Sequence, residues 1–218
     1  MKAMILAAGR GERMGSLTAE QPKPLLTVGG KPLIEHHLQR LAASGIGEVV
    51  INLSYRGAQI RDRLGDGRRW GLTIAYSEEG EPPLETGGGI VQALPLLGES
   101  PFLLVNSDVY TAFDFAALTE AGESTLVLVP NPAHHLGGDF GLSADARVTA
   151  APPFLTYAGI AVLAPALFAG LERGRRPLKP VLDAAIARDE LGGCYYDGLW
   201  LDVGTPERLE AARRAIGD

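Results

Sequence analysis

The stretch Met4-Ile5-Leu6-Ala7-Ala8-Gly9-Arg10-Gly11-Glu12-Arg13-Met14, followed by Gln21-Pro22-Lys23-Pro24-Leu25-Leu26, decides the architecture of this chain. A short apolar strand runs straight into a glycine turn. Without a Cβ at the glycines, backbone N–H groups can come close to a polyphosphate. Arg13 and Lys23 add two cations beside that cradle. The turn lacks the third glycine of a dinucleotide fingerprint, and no G-K-[ST] follows it, so neither a dinucleotide fold nor a Walker loop is indicated.

Composition fits a compact enzyme. A chain of 218 residues suits one α/β domain with a sizeable core. The formal net charge of -6 argues against non-specific binding to nucleic acid or to an anionic membrane. The lone Cys194 excludes an internal disulfide and fits a reducing cytoplasm, and it reads as a small packing residue within Cys194-Tyr195-Tyr196. The weakly apolar segment from Gly159 to Leu171 is too short to span a bilayer and contains Pro165. A cytoplasmic location and a monomer or small homo-oligomer are expected.

Unbroken apolar or β-branched runs predict strands at Ala3–Ala7, Glu48–Leu53, Leu72–Tyr76, Phe102–Asn106 and Thr125–Pro130. Helices are predicted between them at Pro32–Ser44, Ala58–Leu64, Gly88–Leu97 and Phe115–Ala121. This alternation predicts a Rossmann-like, doubly wound α/β fold with a mainly parallel, mixed sheet. After Pro130 the rhythm changes to strands at Phe140–Ser143 and Leu155–Leu163 and helices at Pro177–Arg188 and Pro206–Ile216, the last capped by Thr205. One domain is expected, residues 1–130 forming a nucleotide half and 131–218 a sugar half. His36 and His37 fall inside the first helix as surface or packing residues.

Asp108 follows the strand ending at Asn106, and Asp202 sits in Trp200-Leu201-Asp202-Val203-Gly204-Thr205-Pro206. Carboxylates beyond hydrophobic strands project at the edge where α/β folds place ligands. Two such carboxylates over a triphosphate suit Mg²⁺, although each also reads as a cap or turn residue. Gly80-Glu81-Pro82-Pro83-Leu84-Glu85-Thr86-Gly87-Gly88-Gly89 forms a second glycine-rich element, opening a helix whose N-terminus favours negative charge. His134 and His135 lie in a polar loop, without the ligand spacing of a zinc site.

Together, L-A-A-G-x-G-x-R-M, P-K-P-L, E-T-G-G-G and D-V-G-T-P resemble the sugar-1-phosphate nucleotidylyltransferases, over nearly the whole chain. The resemblance implies a fold of the nucleotide-diphospho-sugar transferase type and transfer of a nucleotidyl group to a sugar-1-phosphate. It implies Arg13 and Lys23 as catalytic cations, and Asp108 and Asp202 as Mg²⁺ ligands. Nucleotide contacts are expected from Leu6, Ala7, Ala8, Gly9, Gly11, Glu12, Arg13, Lys23, Gly80, Glu81, Thr86 and Gly87. Sugar contacts are expected from Asn106, Asn131, Asp139, Gly159 and Lys179, with His134 and His135 beside them. Glu81 could accept from uracil or from guanine, so the loop leaves the base open. The resemblance is greatest to short members acting on a muramate phosphate, which makes UTP and N-acetylmuramate α-1-phosphate the expected pair. Mannose-1-phosphate with GTP, glucose-1-phosphate with UTP or dTTP, and a non-catalytic sensor are the alternatives. Gly15-Ser16 stand where many relatives carry Arg-Pro, Ser107 replaces a glycine, and Pro82-Pro83 lengthens the second loop.

Overall fold

The structure is a computed structural model that describes residues 1–120 and 123–217. The chain begins with β1 (Lys2–Leu6), continues through two short 3-10 turns, Glu12–Thr18 and Lys23–Leu25, and forms a hairpin of β2 (Thr27–Val28) and β3 (Lys31–Pro32). There follow α1 (Leu33–Ala43), β4 (Glu48–Leu53), α2 (Gly57–Leu64), β5 (Thr73–Glu78), α3 (Glu85–Leu97) and β6 (Phe102–Asn106). Next come β7 (Val109–Thr111), α4 (Ala116–Thr119), β8 (Thr125–Val129), β9 (Phe140–Leu142), β10 (Val148–Thr149) and β11 (Phe154–Leu163). The chain closes with α5 (Lys179–Ala187), β12 (Gly192–Tyr195), β13 (Trp200–Asp202) and α6 (Pro206–Ala215).

Strand β1 lies at the centre of the parallel part, between β4 and β6, with β5 outside β4. Successive side chains of a strand point to opposite faces. Accordingly Ala3 and Ile5 join one buried layer with Leu38, Leu41 and Ile51, whereas Met4 joins the other with Ile90, Leu104 and Leu182. Because both faces are covered, exposed polar residues occur only at strand ends, as at Glu48, Thr73 and Glu78, and the strand interiors read as mainly apolar runs. A smaller cluster of Met14, Leu26, Leu33, Val203 and Leu209 joins the first 3-10 turn to α6.

The parallel rhythm ends at β6, earlier than the sequence pattern predicts. Strand β11 runs antiparallel to β6 and to β8, and β8 pairs in parallel only with β12. The predicted run Thr125–Pro130 is therefore a strand, but not another parallel repeat. The helix predicted at Phe115–Ala121 shrinks to the single turn of α4, with Ala121 itself outside the described residues. That turn is too short to be a crossover, so nothing returns the chain for a parallel pairing. The helix predicted from Gly88 instead begins at Glu85, so all three glycines lie within its first turns. β7, β12 and β13 escape notice because they are short, and β12 opens on two glycines. Among the described residues no helix is long and apolar enough to cross a membrane.

Candidate active site

Pairing register assembles the site. Leu6 stands opposite Asn52 on one side and Asn106 on the other, so the glycine turn leaves the sheet between two polar strand ends. This is the carboxyl edge of the parallel strands, where open α/β sheets take ligands. A cavity of about 760 Å³ opens there, lined by the turn from Leu6 to Arg13 and by Lys23, Asn52, Glu79, Thr86, Asn106 and Asp108. Leu6, Ala7, Ala8, Gly9, Gly11, Glu12, Arg13, Lys23 and Thr86 therefore all line one space. Gly80, Glu81 and Gly87 do not.

Lys23 is nearly buried, and its Nζ donates to Asp108 Oδ2 at 2.6 Å. Its stem packs beneath Gly11, where a Cβ would stand 3.2 Å from Lys23 Cβ; Gly11 also has φ +66°, which favours glycine. Arg13 is exposed on the first 3-10 turn and has no hydrogen-bond or ion-pair partner among the described residues. One cation is thus already held against a carboxylate, while the other is uncommitted.

β13 pairs antiparallel with β7 and sets Asp202 opposite Val109, and the Val203 N–H donates to the Asp108 carbonyl at 2.8 Å. Two residues 94 positions apart are thereby neighbours. Asp202 Oδ2 accepts from Arg208 Nη1 at 2.7 Å and lies 3.4 Å from His134 Nε2. Asp202 Oδ1 is buried without a hydrogen-bond partner among the described residues. A lone buried carboxylate oxygen is costly unless something satisfies it, and a hard cation does so. No group of three or more His, Cys, Asp or Glu suited to a metal occurs among the described residues. A cation held by Asp108 and Asp202 would therefore complete its shell with substrate oxygens and water, as Mg²⁺ commonly does. Beneath Asp108, burial pushes His37 down to about 4, so the imidazole stays neutral.

A second cavity of about 420 Å³ adjoins the first and shares Arg13, Asn106 and Asp108 with it. Its remaining wall includes His134, His135, Asp139, Gly159, Trp200 and Asp202. Asp139 is already committed: Oδ2 accepts from the Tyr157 N–H at 2.8 Å and Oδ1 pairs with His135 Nε2 at 3.0 Å. Gly159 sits at a register shift of β11 with φ +71°, and a Cβ there would come within 2.6 Å of Asn106 Nδ2. Gly159 thus lines the smaller cavity beside the Asn106 amide, and its missing Cβ leaves that amide its place. Gly159→Ala should destabilise the fold by roughly 1–2 kcal/mol, through both φ strain and crowding. A melting scan checks this, and an unchanged Tm would mean that Asn106 moves aside freely.

Two expected sugar contacts lie elsewhere. Asn131 spends its amide on the carbonyls of Leu136 and Phe154 and on Thr156 Oγ1, bracing the loop rather than lining either cavity. Lys179 begins α5, pairs with Asp183 at 2.6 Å and lies over the Phe140 ring, also outside both linings. The second glycine element departs from expectation too. Gly87 and Gly88 admit the protein's own segment 174–177, since a Cβ on Gly87 would stand 2.7 Å from the Pro177 carbonyl. A Cβ on Gly88 would strike the Gly174 carbonyl. Glu81 faces Arg10 at 3.0 Å across the mouth of the cleft.

Glu79, unnoticed in the sequence, lines the larger cavity. It accepts from Asn52 Nδ2 at 2.6 Å and from the Leu84 N–H at 2.7 Å, while Asn52 Oδ1 accepts from the Ala7 N–H at 2.7 Å. The chain of bonds ties the glycine turn to the 79–86 loop. A polar residue near the end of an otherwise apolar strand was the available signal for Asn52. Arg175 and Arg208 offered none, because arginines in a charged run or on a charged helix usually mean solvated surface.

Residues 2–131 match the family described as nucleotidyl transferase. The chain is 49% identical to an N-acetylmuramate alpha-1-phosphate uridylyltransferase of Neisseria meningitidis serogroup B, covering 100% of this chain and 99% of the relative. It is 34% identical to the enzyme of the same name from Caulobacter vibrioides, covering 99% and 97%. A putative glucose-1-phosphate thymidylyltransferase structure from Bacillus anthracis superposes with a TM-score of 0.88 at 20% identity, over 100% of this chain and 96% of that one, which shows the fold. With the glycine turn, the paired aspartate strands and these matches together, the chain belongs to the sugar-1-phosphate nucleotidylyltransferases of the nucleotidyl transferase family.

Proposed function

We propose that the protein transfers a uridylyl group from UTP to N-acetylmuramate α-1-phosphate, giving UDP-N-acetylmuramate and pyrophosphate. The observation that carries the reading is the meeting of two cavities at Arg13, Asn106 and Asp108, one suited to a nucleotide and one to a sugar phosphate. An acceptor phosphate oxygen attacks the donor's α-phosphorus at that junction. The bond to the β-phosphate oxygen breaks in line, and pyrophosphate leaves with the electron pair. Such a transfer needs alignment and charge neutralisation more than covalent help.

Arg13, the uncommitted cation, holds the departing β- and γ-phosphates. Lys23 turns from Asp108 toward the α-phosphate as negative charge grows there. Asp108 and Asp202 would hold Mg²⁺, which supplies charge neutralisation between the two phosphates that meet. Arg208 and His134 keep the Asp202 carboxylate in place for that task. The nucleotide half, 1–130, is not self-contained, because Arg175 and Gly204 also line its cavity.

The relative at 49% identity supports the choice of substrates. So does the chemistry of the smaller cavity. N-acetylmuramate carries a lactyl carboxylate, which needs a cationic or hydrogen-bonding partner when bound. His134 and His135 stand in that wall, whereas Lys179 does not. Crossing a panel of sugar-1-phosphates with four nucleoside triphosphates, and measuring pyrophosphate release, tests the reading. Turnover should be highest with UTP and the muramate phosphate and fall strongly with N-acetylglucosamine-1-phosphate. A tenfold advantage for mannose-1-phosphate with GTP would overturn it.

A further inference from the structure

The 79–86 loop beside the cavity at the glycine turn is held from outside by a segment about ninety residues later in the chain. The Arg176 N–H donates to the Leu84 carbonyl at 2.9 Å, and the Gly88 N–H donates to the Arg176 carbonyl at 3.0 Å. Gly87 and Gly88 leave room for this strap, as their missing Cβ atoms would collide with its carbonyls. Consecutive strap residues face opposite ways. Arg175 enters the wall of the 760 Å³ cavity at the glycine turn, while Arg176 lines a separate cavity of about 1100 Å³ beside α5.

Arg175 Nη2 lies 2.8 Å from Glu85 Oε1, and the two side chains are 67% and 36% exposed. An ion pair this open to water contributes little and is readily exchanged for a better partner. The other cavity cations have different commitments: Lys23 is buried on Asp108, Arg10 spans to Glu81, and Arg13 has no partner among the described residues. A guanidinium also matches the fork of two phosphate oxygens better than a single carboxylate contact does.

We propose that Arg175 is a donor-binding residue, delivered by the 174–177 strap, which leaves Glu85 to hold a phosphate oxygen of the nucleoside triphosphate. The proposal rests on the cavity at the glycine turn being the donor site. Calorimetric titration of the full-length protein with UTP and Mg²⁺, without acceptor, tests it. Arg175→Met should weaken UTP binding by about tenfold, the scale of one charge-assisted hydrogen bond. Arg176→Met, which removes the same charge from the other face of the strap, should bind UTP as the parent does. Gly88→Ala, which pushes the strap away, should weaken binding in the same direction as Arg175→Met. Uridine should bind the Arg175 variant and the parent equally. Parent-like UTP binding by Arg175→Met, or an equal loss with uridine, overturns the proposal. A parent protein that binds no nucleoside triphosphate overturns the donor-site reading instead.

Discussion

Replacing Arg13 or Lys23 by alanine should lower kcat by about two to three orders of magnitude. Removing one preorganised charge from a transition state commonly costs roughly 3–4 kcal/mol. The two variants should differ in what else they disturb. Arg13 is exposed and without a partner among the described residues, so its loss should leave the fold untouched. Lys23 is nearly buried against Asp108, so Lys23→Ala also leaves a partly buried carboxylate without its cation. Lys23→Met, which keeps the packed stem beneath Gly11, separates the two effects. Steady-state kinetics at saturating substrates, alongside melting curves, decide the matter. Either alanine variant keeping more than half of parental turnover would remove that residue from the mechanism.

Loss of the paired carboxylates should be nearly as severe. Asp108→Asn and Asp202→Asn should each raise the Mg²⁺ concentration needed for half-maximal activity, and the double variant should be almost inactive. EDTA should abolish turnover reversibly. Pairing of β7 with β13 brings Asp108 and Asp202 into the wall of one cavity, and Asp202 Oδ1 is buried without a donor among the described residues. An amide keeps the shape but gives up the charge that a hard cation requires. Mg²⁺ titrations of each variant read this directly. Unchanged metal dependence in both single variants would make the aspartates turn residues, each holding its own ion pair with Lys23 or Arg208.

Comparison of sequence and structure separates two kinds of information. Short-range pattern located β4 and β6 to the residue and placed β1, β5, α1, α2, α5 and α6 within one to three residues. Burial on both faces and regular caps leave clear local marks, as where Thr205 accepts from the Arg208 N–H at the start of α6. Pattern misjudged the region after β6, because a strand's direction depends on the strand it meets and not on its own residues. It also missed β7 and β13, the three-residue strands that bring Asp108 and Asp202 together.

By itself, then, the sequence determined the α/β class, the phosphate-type glycine turn with its two cations, and the aspartates after strands, all being short-range pattern. Only the tertiary structure decided which of these residues share a space. It left Lys179 and Asn131 outside both cavities and set Asp139 and Gly159 in the wall of the smaller one, Asp139 held by the Tyr157 N–H and His135 and Gly159 lying against the Asn106 amide. It turned the glycines after Thr86 into a seat for the 174–177 strap. It also drew Asn52, Glu79, Arg175 and Arg208 into the site. The reason is physical: ion pairs, close approach and burial act across space between residues tens of positions apart, and those distances are set by packing, which no local window of sequence contains.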